Sequence, residues 1–253
     1  MRSQLLAARS AFAALVLAVL IAAVAVAGVR LSQFSYKTGT TLIIPATILG
    51  AIALACALLW FRSAFAHNKG DGKRMGLIAL LGSLIFLYWP LSYVYYGFAA
   101  PAIHDATSDP EDPPQFVALA KIQPANSRAF NGQRKIRFRG EDQTVSYVLL
   151  TQYRDVTKPH QGILTSPQKA FWRCFEIVKD LGWIVVDSSE KDLRIEATDR
   201  SLWFGRFYDI VIRIRPAGAM GSRVDIRSES RESEIDHGRN VARLKAFFRQ
   251  LKL

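Results

Sequence analysis

Charge is absent from three long stretches of this 253-residue chain. Residues 11–29, 41–61 and 75–98 contain no Lys, Arg, Asp, Glu or His. A helix rises about 1.5 Å per residue, and about 20 apolar residues cross the roughly 30 Å hydrocarbon core of a bilayer. Each run is long enough, so the sequence predicts three transmembrane helices. The same lack bears on function. A transport path normally uses ionisable side chains within the membrane, so these spans read as an anchor. Ala14, Ala18 and Ala22, Ala46 with Gly50, and Ala79 with Ser83 recur at four-residue spacing. Small residues so spaced let helices approach closely in lipid. Pro45 and Pro90 are expected to kink their helices.

Cysteine and histidine are also scarce. Cys56 falls in the second run and Cys174 far downstream, with no CxxC pair. That excludes a disulfide scaffold and gives no zinc spacing. Cys174 lies on the apolar stripe of a predicted helix and reads as a small core residue. The four histidines, His67, His104, His160 and His237, are isolated in sequence. No glycine-rich phosphate loop and no GxSxG elbow is present. No cofactor and no metal is expected.

Acids are rare in the first part of the chain. Of 33 basic and 21 acidic residues, the first 98 positions hold eight basic and one acidic, leaving 25 against 20 in the remainder. The formal +12 is therefore largely a property of the anchor, and the net +5 downstream is ordinary for a soluble domain. With no recognised binding motif, nucleic acid is not an expected partner. The anchor's charges instead set orientation. Arg2 and Arg9 precede the first span, and Arg62, Lys69, Lys73 and Arg74 lie in the second loop, whereas the first loop has only Arg30 and Lys37. Basic side chains are retained on the cytoplasmic side. The amino terminus is then cytoplasmic, and three spans place the downstream domain outside. Trp60 and Phe61 end the second run and Tyr88, Trp89, Tyr93, Tyr95 and Tyr96 crowd the end of the third, as amphipathic rings do at the headgroup level. Residues 1–27 also have the outline of a signal peptide, but their apolar run is longer than a usual signal core. Cleavage there would leave the domain on the same side.

Downstream, residues 1–103 give way to an acidic, Pro-rich segment, 104–115, expected to act as a stiff spacer. Residues 116–253 then suffice for one modest core. Residues 121–146 are polar and irregular, read as loop with short strands. "VSYVLL" from Val145 alternates in part and reads as a strand. A helix follows at "TSPQKAFWRCFEIVKDLG", with Ser166 as N-cap, Pro167 in the first turn and Gly182 at the C-terminal turn; Phe171, Cys174, Val178 and Leu181 share one face. "WIVVD", "LRIEAT", "FYDIVIRIR" and "SRVDIRSES" read as four strands. Ile210, Ile212 and Ile214 point one way, with Arg213 and Arg215 opposite, and "PAGAMGS" joins the last two strands as a hairpin. "DHGRNVARLKAFFRQLKL" is a closing helix with Val241, Leu244, Phe248 and Leu251 at helical spacing. The predicted fold is a membrane-anchored α+β protein, with helices on one face of an antiparallel sheet.

"IEATDRSLWFGRFYDIVIRIR" followed by "SRVDIRSESRESEIDHGRNVARLKAFFRQL" resembles the domain-of-unknown-function family 1499. "PPQF", "YRDVTKP" and "GWIVVD" fit the same family in order. The resemblance spans about residues 104–253. Two acids usual in the family pattern are replaced here by Tyr208-Asp209, and its glycine-rich turn by "ESEID". Members with three preceding spans are familiar in Gram-negative bacteria. The resemblance therefore implies a multi-pass inner-membrane protein with a periplasmic domain, and no established activity.

Two functional classes remain. One is an envelope module binding an anionic ligand, a lipid, an acidic glycan or a partner protein. Its candidate residues are Arg213, Arg215, Arg227 and Arg231, whose guanidinium forks suit phosphate or carboxylate. The same arginines would otherwise pair with Asp209, Asp225 and Glu229 as a solvated, self-compensating face. The basic closing helix, with Arg239, Arg243, Lys245, Arg249 and Lys252, extends the charge. The alternative class is an anchored hydrolase or transferase using His104 with Asp105, or His237 near Ser228, Ser230 or Ser233; the sequence favours the binding class. The topology is directly testable: a reporter fused after Leu253 is expected to be active only outside the cytoplasm, and cytoplasmic activity would overturn the orientation.

Overall fold

The computed structural model describes residues 2–67, 72–122, 129–157, 162–219, 221–231 and 236–251. It divides into two units, Met1–Tyr96 with Trp203–Gly205, and Gly97–Leu202 with Arg206–Leu253. His160, Ser233 and Lys252 lie outside the described residues.

The first unit contains three helices, α1 (Arg2–Arg30), α2 (Tyr36–His67) and α3 (Lys73–Ala99), each longer than the apolar run at its centre. All three are long and apolar enough to cross a membrane. Small residues set their packing. Ala11, Ala57 and Ala79 form a buried cluster, and Ala18, Ala46 and Ser83 are also buried. A Cβ added at Gly50 would lie 2.8 Å from the Phe86 ring, so α2 and α3 meet there at a distance only glycine permits.

The second unit is an antiparallel sheet with helices. Its strands are β1 (Asp105–Thr107), β4 (Gly162–Ile163), β5 (Ile184–Ser189), β6 (Arg194–Arg200), β7 (Phe207–Ala217) and β8 (Gly221–Ser230). They run in the order β1-β8-β7-β6-β5, with β4 also pairing to β8. The β7–β8 hairpin pairs Ile212 with Ile226 and Arg213 with Asp225, and turns through Gly218 at φ +65°. Strands β2 (Lys135–Phe138) and β3 (Glu141–Thr144) form a separate hairpin.

One sheet face is apolar. Ile195, Ala197, Ile210, Ile212, Ile214, Val224 and Ile226 join the core with α7 (Pro167–Asp180) and α8 (Arg239–Leu251). Ser166 caps α7, its side chain accepting from Lys169 N, and Gly182 takes φ +72°, both as the sequence predicts. Cys174 is fully buried in this core.

Three features differ from the sequence reading. "VSYVLL" is helical: α5 (Val145–Gln152) starts at Thr144, whose side chain accepts from Tyr147 N, and buries Val145, Val148 and Leu149. That spacing suits a helix, and the N-cap decides between two patterns that a short apolar run leaves open. The acidic segment is not a free spacer, because its first residues form β1 and Asp105, Thr107, Ser108 and Asp109 are buried. Ser108 N bonds Ile226 O at 2.9 Å, and Ser230 N bonds His104 O at 2.9 Å. Finally, the charged face of the sheet is itself partly covered. Phe116 and Leu119, the latter in α4 (Ala118–Ile122), pack on Val211. Buried Glu196 accepts from Val117 N at 2.8 Å, Ala118 N at 3.1 Å and Leu119 N at 2.7 Å. A carboxylate there satisfies the orphan N–H groups of the short helix.

Arg227 shows what this covering does. It is 1% exposed and bonds Asp105 through Nε at 2.9 Å and Nη2 at 2.8 Å. Removing one partner of a buried pair leaves an uncompensated charge and costs about 3–5 kcal/mol, whereas replacing both with apolar groups is far milder. Arg227→Ala and Asp105→Ala are each expected to destabilise the domain by about 3–5 kcal/mol. The Arg227→Met/Asp105→Leu double variant should recover much of that loss in urea unfolding of the detergent-solubilised chain, followed by near-UV circular dichroism. Additive losses in the double variant would show that the pair is not coupled.

Candidate functional site

The strands alternate, so every second residue of β7 and β8 faces away from the helices. Asp209, Val211, Arg213 and Arg215 share that side with Arg223, Asp225, Arg227 and Glu229. The acidic segment crosses this side and adds Asp105, Asp109 and Asp112. Arg213 reaches Asp225 at 3.1 Å and the Asp112 carbonyl at 2.6 Å. Arg215 reaches Asp225 at 2.7 Å, Asp109 at 3.0 Å and Asp112 at 2.5 Å. Arg223 bonds Asp225 at 2.9 Å and also reaches Asp109. Three guanidinium groups thus share three carboxylates. Burial works against ionisation of Asp112, but bonds and charge from Arg213 and Arg215 outweigh it and hold its carboxyl below the ordinary value.

The other candidate arginines are committed in the same way. Arg227 adds Glu229 at 3.4 Å to its Asp105 pair and lies 5.0 Å from the Phe116 ring centroid. Arg231 bonds Asp209 at 2.8 and 2.6 Å and Thr198 at 3.1 Å. The expected pairing with Asp209, Asp225 and Glu229 is therefore present, in a setting that runs from fully buried at Arg227 to partly solvated at Arg213, Arg215 and Arg223. The sequence reading groups Asp109 with His104 and Asp105 as an acid/base or metal cluster and does not pair it, Asp112 or Glu196 with these groups. The only signal for Asp109 and Asp112 was the matching of an acidic segment to an arginine-rich hairpin more than a hundred residues away.

The candidate acid/base residues fall apart from one another chemically. Asp105 is bound on both oxygens by Arg227. The carbonyl of His104 accepts from Asn240 Nδ2 at 2.7 Å. Asn240 also bonds Ser228 Oγ at 2.8 Å and Ser230 Oγ at 3.0 Å, so these hydroxyls serve the asparagine rather than His237. His237 sits at φ +55°. Burial, then the charges of Arg206 and Arg239, lower its pKa. Burial pushes the Cys174 thiol up to about 12, which keeps it protonated and consistent with a core role. Among the described residues, no group of three His, Cys, Asp or Glu side chains is placed to hold a metal ion.

A second polar cluster lies at the start of α8. Asp236 accepts from Gly238 N and Asn240 N, satisfying backbone N–H groups at and just before the start of α8. Tyr208 is fully buried, on the helix side of β7. The Arg243 guanidinium carbon is 3.6 Å from its ring centroid and that of Arg206 is 5.5 Å away. Arg243 also bonds Asp199 at 2.7 Å. Arg239 acts electrostatically on the same tyrosine. The Tyr208 hydroxyl is buried and has no hydrogen-bond partner among the described residues, which is costly for a phenol unless something bonds it. Three guanidinium groups thus gather around this tyrosine, with Asp199 and Asp236 beside them.

An apolar three-helix anchor followed by a helix-backed antiparallel sheet defines a membrane-anchored α+β protein. The model of the family of proteins of unknown function DUF1499 matches residues 105–251, more than half of the chain, and the chain belongs to that family. The match begins at β1, inside the acidic segment. No curated protein matches the chain.

Burial raises the Asp236 pKa to about 6 against the bonds from Asn240 and Gly238. A raised acid pKa means that the native state holds its proton longer than the unfolded chain does. Its contribution to stability is full below about pH 4 and is lost as pH rises through about 6. Asp236→Asn keeps an acceptor oxygen without the charge. It is expected to gain on the wild type by up to about 3 kcal/mol between pH 4 and 7. Thermal unfolding of both across that range checks this, and parallel profiles would refute it.

Proposed function

We propose that the protein is a multi-pass inner-membrane protein, amino terminus cytoplasmic, whose periplasmic domain binds an anionic group without catalysing a reaction on it. Support for the orientation comes from six basic side chains flanking the spans on one side against two on the other. Support for binding over catalysis comes from the partners of the candidate acid/base residues: Arg227 takes both oxygens of Asp105, and Ser228 and Ser230 bond Asn240.

The observation that carries the ligand reading is the buried Tyr208 hydroxyl within a cluster of Arg206, Arg239 and Arg243. A phosphate or carboxylate oxygen would accept from the phenol and from guanidinium N–H groups together, the strong charge-assisted case. The hairpin arginines are weaker candidates, because Asp105, Asp109, Asp112, Asp209 and Asp225 already take their forks. His104, bonded to Asn240 in this cluster, lies five residues past the end of α3. Five residues reach at most about 18 Å. That short tether favours the phosphate of an anionic phospholipid over a distant glycan or a soluble partner.

Titrating the detergent-solubilised chain with inorganic phosphate and with a short-chain phosphatidylglycerol tests this reading. Saturable binding is expected. Arg239→Gln should weaken it about tenfold, the worth of one charge-assisted hydrogen bond, and Arg215→Gln should leave it unchanged. The opposite pattern would move the site to the hairpin face, and no binding to either probe would end the anion reading.

A further inference from the structure

The second and third spans, with Phe204, border a cavity of about 400 Å³, lined by Ile43, Ile44, Thr47, Trp89 and Val94, among others. Two contacts bound it. At one end Gly50 brings α2 against Phe86 and Leu87 of α3. At the other the Tyr36 and Tyr93 hydroxyls meet at 2.9 Å. Pro45 lies in α2 and Pro90 in α3 within the stretch between these contacts. A proline removes one helical hydrogen bond and pushes on the preceding turn, so the two helices are free to bow apart between their points of contact.

The wall is apolar in a specific way. Its threonines spend their hydroxyls on their own helix: Thr47 Oγ1 donates to Ile43 O at 2.8 Å, and Thr40 Oγ1 to Tyr36 O at 3.1 Å and Lys37 O at 3.0 Å. A buried water needs two to four polar partners, and this wall does not provide them. An empty space of this size would forfeit the dispersion contacts of its whole lining. The volume lies within the ordinary range for ligand pockets. The cavity also opens onto the flank of the two spans, where Ile44 and Val94 are more than half exposed. In a membrane-spanning helix that flank faces hydrocarbon, so the space is continuous with the lipid-facing surface. Thr40 to Ile48 covers about 12 Å along α2, close to the depth of one leaflet of a roughly 30 Å core.

We propose that this cavity is a binding site for one acyl chain of a membrane phospholipid, held as a stoichiometric ligand. The inference does not rest on the anion reading, since none of the arginines around Tyr208 lines the cavity, whose walls are α2, α3 and Phe204. Its ligand is recognised by shape and apolarity, with no requirement on the headgroup.

The full chain, purified in mild detergent and washed extensively, is expected to retain roughly one phospholipid per chain by native mass spectrometry. Ile44→Trp and Thr47→Trp place an indole in the cavity and should lose most of that lipid. Leu58→Trp, on an exposed part of α2 beyond Gly50, should keep it. Unchanged helicity by circular dichroism confirms that the variants fold. A second readout needs no variant. In vesicles of phosphatidylethanolamine and phosphatidylglycerol doped with a diazirine-acyl phospholipid, cross-links should concentrate on residues 40–48 and 89–94 of the wild type. Cross-links spread evenly over the exposed faces of all three helices would mean annular lipid only and overturn the proposal. So would equal lipid loss in Leu58→Trp, or an Ile48→Cys chain that forms intermolecular disulfides there, which would make a second copy the occupant.

Discussion

The sheet domain depends on neutralising its own charged face. Strands β6, β7 and β8 carry Arg194, Arg213, Arg215, Arg223 and Arg227 on the side away from the helices, and Arg231 follows β8. Covered guanidinium groups are tolerable only when paired and hydrogen-bonded. Part of the pairing is local, through Asp225, Asp209 and Glu229. The remainder arrives from the acidic segment as Asp105, Asp109 and Asp112. Without these three acids the hairpin would hold more cations than anions under a covering of Phe116 and Leu119. Covering and pairing are therefore one event, and Glu196 reinforces it by bonding three successive backbone N–H groups of the crossing segment.

This separates two groups of arginine that look alike in composition. On the strand face they hold structure together, each guanidinium gripped by carboxylates of the same chain. Around Tyr208 three guanidinium groups gather instead at a buried phenol whose hydroxyl has no partner among the described residues. Charge density alone does not distinguish them. The distinction rests on where acids fall in the fold, and that is what directs the search for a ligand toward the start of α8.

Much of the architecture was legible before any coordinates. Helix α7 announced both ends and its buried stripe, because Ser166, Pro167 and Gly182 each answer a local backbone need. The β7–β8 hairpin was legible from strict alternation around a Gly- and Pro-containing turn. The three spans followed from the absence of charge. What stayed hidden was non-local or ambiguous. Asp109 meets Arg223 across 114 positions of sequence, and three prolines near Asp109 disguised a sheet strand as a spacer. Val145 to Leu150 is too short for periodicity to choose between strand and helix, and the cap at Thr144 settled it. His237 and Asp105 were flagged for their chemistry, yet burial and partners are properties of the folded state. Tyr208 stood out in sequence only as a departure from the family pattern, with nothing local to show its hydroxyl enclosed.

The antiparallel pairing of β1 with β8 also determines how the domain would carry load. The chain enters the sheet within a few residues of the end of α3, and a pull directed along β1 would act first at His104. The hydrogen bonds on either side of that strand, from Ser230 N to His104 O and from Ser108 N to Ile226 O, are then strained together with the Arg227–Asp105 fork rather than opened one after another. Load applied along β1 is thus carried in shear, the orientation in which a short strand resists extraction best, and it enters the sheet at its β1 edge.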